Sequence, residues 1–320
     1  MIFIFSQPHD TSTNLVIDWL YYYDQKTIRI NSYSDFFHHF GNVNLENNKN
    51  NSLGNLTKKI SIWYRRRGVL AAPFPTNKID QSLIYQFGEN LRSELKILFE
   101  YTFEKINKNA VAILGSEKGS RLNKLRVLDI AQSIGLNIPK TLITNRKTAI
   151  IEFLQSEKSI ITKAISEATF IVDKKSNKHA FYTQNISKKK TTELDDEIFP
   201  SLLQQEIKKE FEIRTYYIDG KCYSMAIFSQ QSAQTATDFR VYDTVNRNRN
   251  VPYQLPKEIE RQLKKLMTRL QLKEGSIDLI KTKDNKIVFL EVNPSGQFGM
   301  VSRPCNYHLE EKIAKYLSHE

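Results

Sequence analysis

Ile2–Phe5 opens the chain as a continuous apolar run without polar alternation, the pattern of a strand buried on both faces. The polar turn SQPHDTSTN follows, and its Asp10–Thr13 cluster supplies N-caps for a helix through LVIDWLYYY. Thr27–Ile30 reads as the next strand, so the chain begins as a strand–helix–strand α/β unit. Asn42 to Asn55 is rich in asparagine and predicts an exposed loop, because asparagine side chains compete for backbone hydrogen bonds. Ile60–Gly68 is a strand ending in arginines, and Gln81 to Asn107 carries Leu83, Phe87, Leu91, Leu95, Leu98, Phe99 and Phe103 at helical spacing. Ala110–Leu114 is a short strand, and Asn123–Ile134 a helix that ends at Gly135, a C-cap residue.

The period then shortens. Strands are predicted at Ser159–Lys163, Thr169–Val172, Ala180–Thr183, Leu202–Ile207, Ile213–Ile218, Cys222–Phe228, Ser276–Ile280 and Ile287–Val292. Among the last of these lies a helix, Lys257–Leu270, announced by Pro256 and by Glu258 and Glu260 in its first turn. The order is an α/β N-terminal unit, a small middle unit and a larger α+β C-terminal unit.

Charge changes this picture. The 320 residues carry 47 Lys and Arg against 35 Asp and Glu, a formal charge of +12. Such a surplus suits a polyanionic partner: nucleic acid, nucleotide phosphates or an acidic peptide. The two cysteines, Cys222 and Cys305, have neither pair spacing nor a histidine ligand pattern, which excludes a disulfide framework or zinc site and fits a reducing cytoplasm. MIFIF lacks the basic region and cleavage site of a signal peptide, and nothing approaches the ~18 apolar residues of a membrane span. A soluble, cytoplasmic protein with no membrane partner is expected.

The candidate chemistry is acidic. Glu291 and Asn293 lie two apart in the strand end FLEVNPSGQFG and share a face, with Val292 turned into apolar surroundings. Asp278 in SIDLI joins them if the two strands pair through the turn KDNK. An all-oxygen set of this kind suits Mg²⁺ shared with nucleotide phosphates, and the competing reading is a hairpin with an acidic solvent face. Lys163 ends an apolar strand, where an anionic partner would offset its desolvation, unless it simply reaches solvent; Lys124 opens a helix. The link Leu202–Arg214 can present backbone groups to an adenine edge, with Glu212 set to hold ribose hydroxyls and Arg214 on the same side. Asp238 and Arg240 form another alternate pair, and Arg240 could clamp a phosphoryl or carboxylate group; structural salt bridges compete with each arginine's assignment. WYRRR could stack on and neutralise nucleic acid, but no nucleic-acid-binding motif surrounds it, so nucleic acid is not expected as a partner.

Together these residues resemble the ATP-grasp superfamily over nearly the whole chain. WYRRRG, FEIRTYYIDGKCYSMAIFSQ, DFR, GSIDLI and LEVNPSGQFGMVSRPCNYHLEEKIA are similar to the grasp-with-spasm peptide maturases, that is, graspetide synthetases or microviridin-type peptide ligases. The resemblance implies an α/β and α+β ATP-grasp fold: a Rossmann-like N-terminal unit (1–119), a central subdomain (120–201) and a C-terminal subdomain with the Mg²⁺–ATP site (202–320). It implies contacts from Lys124 and Lys163 to ATP, a hinge of Gln204, Glu206 and Ile207 at adenine, and Glu212 at ribose. Asp278, Glu291 and Asn293 would hold Mg²⁺, Arg214 would neutralise the transferred phosphate, and Asp238 with Arg240 would meet a core peptide. The activity implied is ATP-dependent joining of Asp or Glu side chains of a ribosomal precursor peptide to Thr, Ser or Lys side chains, by a homodimer that binds the peptide's leader. A ligase that adds free amino acids to a terminus, and a non-catalytic nucleotide- or RNA-binding protein, are the alternatives.

Overall fold

The computed structural model describes residues 1–43, 45, 59–66, 80–116, 122–166, 170–172, 178–180, 183–229 and 248–319. Most of the asparagine-rich loop, much of the stretch after Lys163, and both Asp238 and Arg240 lie outside these residues. Among the described residues no helix is long and apolar enough to cross a membrane.

The N-terminal unit runs β1 (Ile2–Phe5), α1 (Thr11–Tyr22), β2 (Thr27–Ile30), α2 (Tyr33–Phe40), β3 (Ile60–Tyr64), α3 (Gln81–Lys108) and β4 (Ala110–Gly115). Its strands form a parallel sheet in the order β2-β1-β3-β4. The unbroken IFIF run is explained by its two covers. Ile2 and Ile4 face a core with Val16 and Leu20, while Phe3 and Phe5 face Phe36, Phe40, Phe99 and Phe103. Asp10 caps α1 by accepting from the Ser12 N–H. The helix α2, which the apolar pattern does not predict, starts at a capping box between Ser32 and Asp35.

Next come α4 (Lys124–Ser133), β5 (Thr141–Arg146), α5 (Lys147–Glu157), β6 (Ile160–Lys163), β7 (Phe170–Val172), β8 (Lys178–Ala180), β9 (Gln184–Ile186), α6 (Lys188–Thr192) and β10 (Glu197–Gln205). Asn123 caps α4, and Gly135, at φ +89°, takes the left-handed position past its end. The central sheet is antiparallel, β5-β10-β6-β9, with Ile150 and Leu154 of α5 packed on Ile160 and Leu203. The chain continues as β11 (Lys209–Ile218), β12 (Lys221–Phe228), β13 (Arg249–Tyr253), α7 (Lys257–Arg269), β14 (Glu274–Thr282), β15 (Ile287–Asn293), α8 (Gly299–Cys305) and α9 (Leu309–Ser318). Its strands make an antiparallel sheet, β13-β12-β11-β14-β15.

Packing divides the molecule differently from the expected boundaries. The 201/202 boundary falls inside β10, which completes the central sheet. The helix α4, expected in the central unit, packs Val127, Leu128 and Ala131 against Leu263, Phe289 and Val292 of the C-terminal unit. The other face of the C-terminal sheet, including Tyr216 and Ile218, shares one core with β1, α1, α8 and α9. N- and C-terminal units are therefore fused through a common apolar interior, while the central sheet has a small core of its own.

Candidate active site

Strand register places three of the expected residues side by side. Arg214 on β11 pairs with Asp278 on β14, and Asp278 pairs with Glu291 on β15, so the three form one cross-strand row. Arg214 Nη1 donates to both Asp278 oxygens, at 2.8 and 2.9 Å, and both residues are buried. Asn293 Nδ2 lies 3.4 Å from Glu291 Oε1.

A bulge sets this row. Between the pairs Asp278↔Glu291 and Leu279↔Phe289, β15 has one extra residue, Leu290. Ile287 and Phe289 face the core before it and Val292 faces the same core after it. Strict alternation from Phe289 would have sent Glu291 inward; the bulge shifts the phase, so Glu291 and Asn293 share the side of Asp278.

Lysines close the cleft from two other elements. Lys124, first residue of α4, brings Nζ to 3.7 Å from Glu291 Oε2. Lys163, at the end of β6, pairs with Leu202 and lines the same cleft. That cleft is open to solvent and has Val127, Leu128, Leu202 and Leu290 as its apolar wall. Two residues before Arg214 on β11, Glu212 is buried; its carboxylate accepts from Lys209 Nζ at 2.6 Å and from Ser229 Oγ at 2.8 Å. Burial raises the Glu212 pKa, and the contacts of Lys209 and Ser229 work against that rise.

The link between the central and C-terminal sheets runs from Gln205 to Lys209. Gln204 is buried on β10 and donates from Nε2 to Thr141 Oγ1 at 2.9 Å. Glu206 turns its carboxylate to Ser159 Oγ at 2.5 Å and Asn185 Nδ2 at 3.4 Å, on the central sheet. Ile207 follows in the link, partly buried. Of WYRRR, Trp63 and Arg65 are buried, which removes them as a stacking surface for nucleic acid.

Lys209 and Ser229 hold Glu212 and were not singled out from the sequence. A register shift between Lys209 and Phe211 re-aims the lysine, and nothing in IKKEFEIR distinguishes it from Lys208.

The donor set fits a magnesium-bound nucleotide. Two carboxylates and one amide are too few oxygens to complete a hard-cation shell, and no cluster of His, Cys, Asp and Glu among the described residues could do so alone. Phosphate oxygens and water would supply the rest, with Lys124, Lys163 and Arg214 as counter-charges.

No family model matches the sequence, and no curated protein matches it. Solved structures do. Macrocyclase MdnC bound with precursor peptide MdnA, from Microcystis aeruginosa MRC, is 25% identical, with a TM-score of 0.75 over 100% of this chain and 99% of that one. A RiPP-associated ATP-grasp ligase of Chryseobacterium gregarium, in complex with ADP and a leader and core peptide, is 21% identical at a TM-score of 0.78, over 99% of this chain and 96% of that one. ATP-grasp ligase PsnB, complexed with a minimal precursor variant, Mg and ADP, is 17% identical at 0.73, covering 99% and 97%. The chain has the ATP-grasp fold along its whole length. Within that fold its likeness is to ligases associated with ribosomal peptides, as its motifs imply.

Proposed function

We propose that this protein is an ATP- and Mg²⁺-dependent ligase that joins Asp or Glu side chains of a ribosomal precursor peptide to Thr or Ser hydroxyls, or to Lys amines, closing rings. The Arg214–Asp278–Glu291 row beside Lys124 and Lys163 is the observation that carries this reading.

A carboxylate does not condense with an alcohol in water, because its leaving group would be hydroxide or oxide. ATP supplies a better one: its γ-phosphoryl group bonds to a carboxylate oxygen, ADP departs, and phosphate then leaves as the hydroxyl or amine oxygen or nitrogen bonds to the acyl carbon. The nucleophile's proton goes to solvent or a base, so the peptide loses one water per ring. Asp278, Glu291 and Asn293 would hold Mg²⁺, which would offset charge on the nucleotide phosphates. Arg214, Lys124 and Lys163 offset charge on those phosphates, and Glu212 accepts from ribose hydroxyls. Gln204, Glu206 and Ile207 form the hinge at the adenine, and Asp238 with Arg240 meets the core peptide. The surplus of +12 suits an acidic peptide. A cytoplasmic homodimer that does not bind nucleic acid belongs to the same reading.

The test is mass spectrometry of a short peptide, rich in Thr and Glu or Asp and encoded beside this gene, after incubation with the protein, ATP and Mg²⁺. Losses of water, one per ring, are expected with release of ADP. Added amino-acid masses would transfer the chain to the terminus-extending ligases, and an unmodified peptide without ADP release would remove the catalytic reading.

A further inference from the structure

The residues after Glu291 and Asn293 leave the β-ladder, since the last pair is Ser276↔Asn293. They turn at once, with the Gly296 N–H donating to the Asn293 carbonyl at 3.1 Å. The carbonyls of Ser295 and Gly296 need another donor, because buried backbone oxygens without one are costly. That donor comes from the N-terminal unit. Arg65, just past the end of β3, sends Nη1 to the Ser295 carbonyl and the Gly296 carbonyl, each at 2.9 Å, and Nη2 to Gln297 Oε1 at 3.2 Å.

Arg65 is only 1% exposed, so its charge must be met within the protein. Asp10 meets it: Oδ2 lies 3.2 Å from Nε, an ion pair without hydrogen-bond alignment. The same carboxylate accepts from Thr13 Oγ1 at 3.1 Å and from the Ser12 N–H at 3.2 Å, so it is itself fixed to the first turn of α1. Ser12 Oγ also donates to Gln297 Oε1, at 3.1 Å. Phe298 lies under the guanidinium, its ring centre 5.1 Å from Cζ, and its ring packs against Trp63 and Tyr216. Two elements of the N-terminal unit, the end of β3 and the start of α1, thus converge on the few residues that follow Asn293.

We propose that Arg65 is a positioning residue for the metal-binding end of β15, holding the Asn293–Gly296 turn so that Glu291 and Asn293 stay level with Asp278. This rests on the reading of those residues as Mg²⁺ ligands. A lysine at the position keeps the charge opposite Asp10 but not the planar fork that reaches two successive carbonyls and Gln297. Partners that orient metal ligands from outside typically control affinity by about 10–100-fold.

The experiment is calorimetric titration of ADP into the intact protein over a series of Mg²⁺ concentrations, for wild type, Arg65→Lys and Gln297→Ala, with a melting curve for each. Arg65→Lys should raise the Mg²⁺ concentration at half-maximal ADP binding about tenfold, and leave binding of ADP without Mg²⁺ unchanged. Gln297→Ala, at an exposed side chain that threatens folding least, should shift it less and in the same direction. Wild-type Mg²⁺ dependence in both variants, whatever their melting temperatures, would reduce Arg65 to a bolt between units and overturn the proposal. Absence of Mg²⁺-dependent ADP binding in the wild type would instead overturn the parent reading.

Discussion

Strand β14 carries two buried carboxylates on one face, Glu274 near its start and Asp278 further along, and they are treated differently. Glu274 is 2% exposed and accepts from Trp63 Nε1 at 2.9 Å and Tyr216 Oη at 2.6 Å, neutral donors on rings fixed in the core. Burial pushes its pKa up, and drives that of Tyr216 well above the usual phenol range. Asp278, 6% exposed, has both oxygens on one nitrogen of Arg214, a long cationic side chain, and pairs across the ladder with Glu291, which lines the open cleft. Rigid neutral donors make a seam; in the function proposed above, the Arg214 cation turns to an arriving phosphate and releases Asp278 to a metal. Burial alone does not distinguish the two, and the chemistry of the partner does.

The comparison is broken most severely at Asp278. Asp278→Asn alters a residue proposed to hold Mg²⁺ and leaves Arg214 buried without its carboxylate, so it should lose activity and about 3–5 kcal/mol of stability together, read from turnover and urea unfolding. Glu291→Gln separates the two effects. Its side chain is 13% exposed, with Lys124 Nζ at 3.7 Å and Asn293 Nδ2 at 3.4 Å. ADP release should fall by about a hundredfold or more, with the unfolding midpoint nearly unmoved. Equal loss of stability in both variants would show that the row is framework, like the seam.

How much of this could be read from the chain follows from how local each signal is. Ile2–Phe5 and Thr27–Ile30 emerge as predicted, and Gln81–Lys108 within a residue, because each is a run or period that needs no partner. The helices α2, α5, α8 and α9 are not predicted: α8 contains Pro304, and a side-chain cap does not decide the matter, since α2 has one and the predicted α7 does not. At the site, Glu291 and Asn293 are legible as an alternate pair, and Asp278 as their neighbour across a hairpin. The Leu290 bulge is not, since register depends on the strand opposite. Glu274 and Arg65 are silent in the sequence for the same reason at longer range: Trp63 and Glu274 are 211 residues apart, and Arg65 and Gly296 are 231 apart.

Between seam and site stands Ser276, and there the packing is tight. A Cβ on Gly296 would lie 2.0 Å from Ser276 Oγ and 2.2 Å from its Cβ, too close for any real pair of atoms. Gly296→Ala should therefore displace the turn, costing about 1–3 kcal/mol, and weaken Mg²⁺-dependent ADP binding as Arg65→Lys does. The double variant with Ser276→Gly, which removes the atoms struck, should recover much of both. Recovery of stability without recovery of binding would mean that the turn does not position the metal ligands.

The smallest effect tests the seam alone. Because the folded state raises the Glu274 pKa, it binds the proton more tightly than the unfolded chain does. Stability from this group is then full below the unfolded carboxylate pKa, about 4.3, and is lost as pH rises through the folded value. Glu212 has the same sign, while Asp35 and Glu104, whose pKa values are lowered, have the opposite one. The wild-type pH profile alone therefore cannot isolate Glu274, but its difference from Glu274→Gln can. Glutamine keeps an oxygen for the Trp63 N–H and an amide that can donate to the Tyr216 hydroxyl, and it carries no charge to desolvate. Melting curves from mildly acidic to mildly alkaline buffer should show the variant losing less stability with rising pH than the wild type. Parallel profiles would mean that Glu274 titrates in the fold as it does in the unfolded chain, and the seam would then differ from the site in exposure but not in the chemistry of its partners.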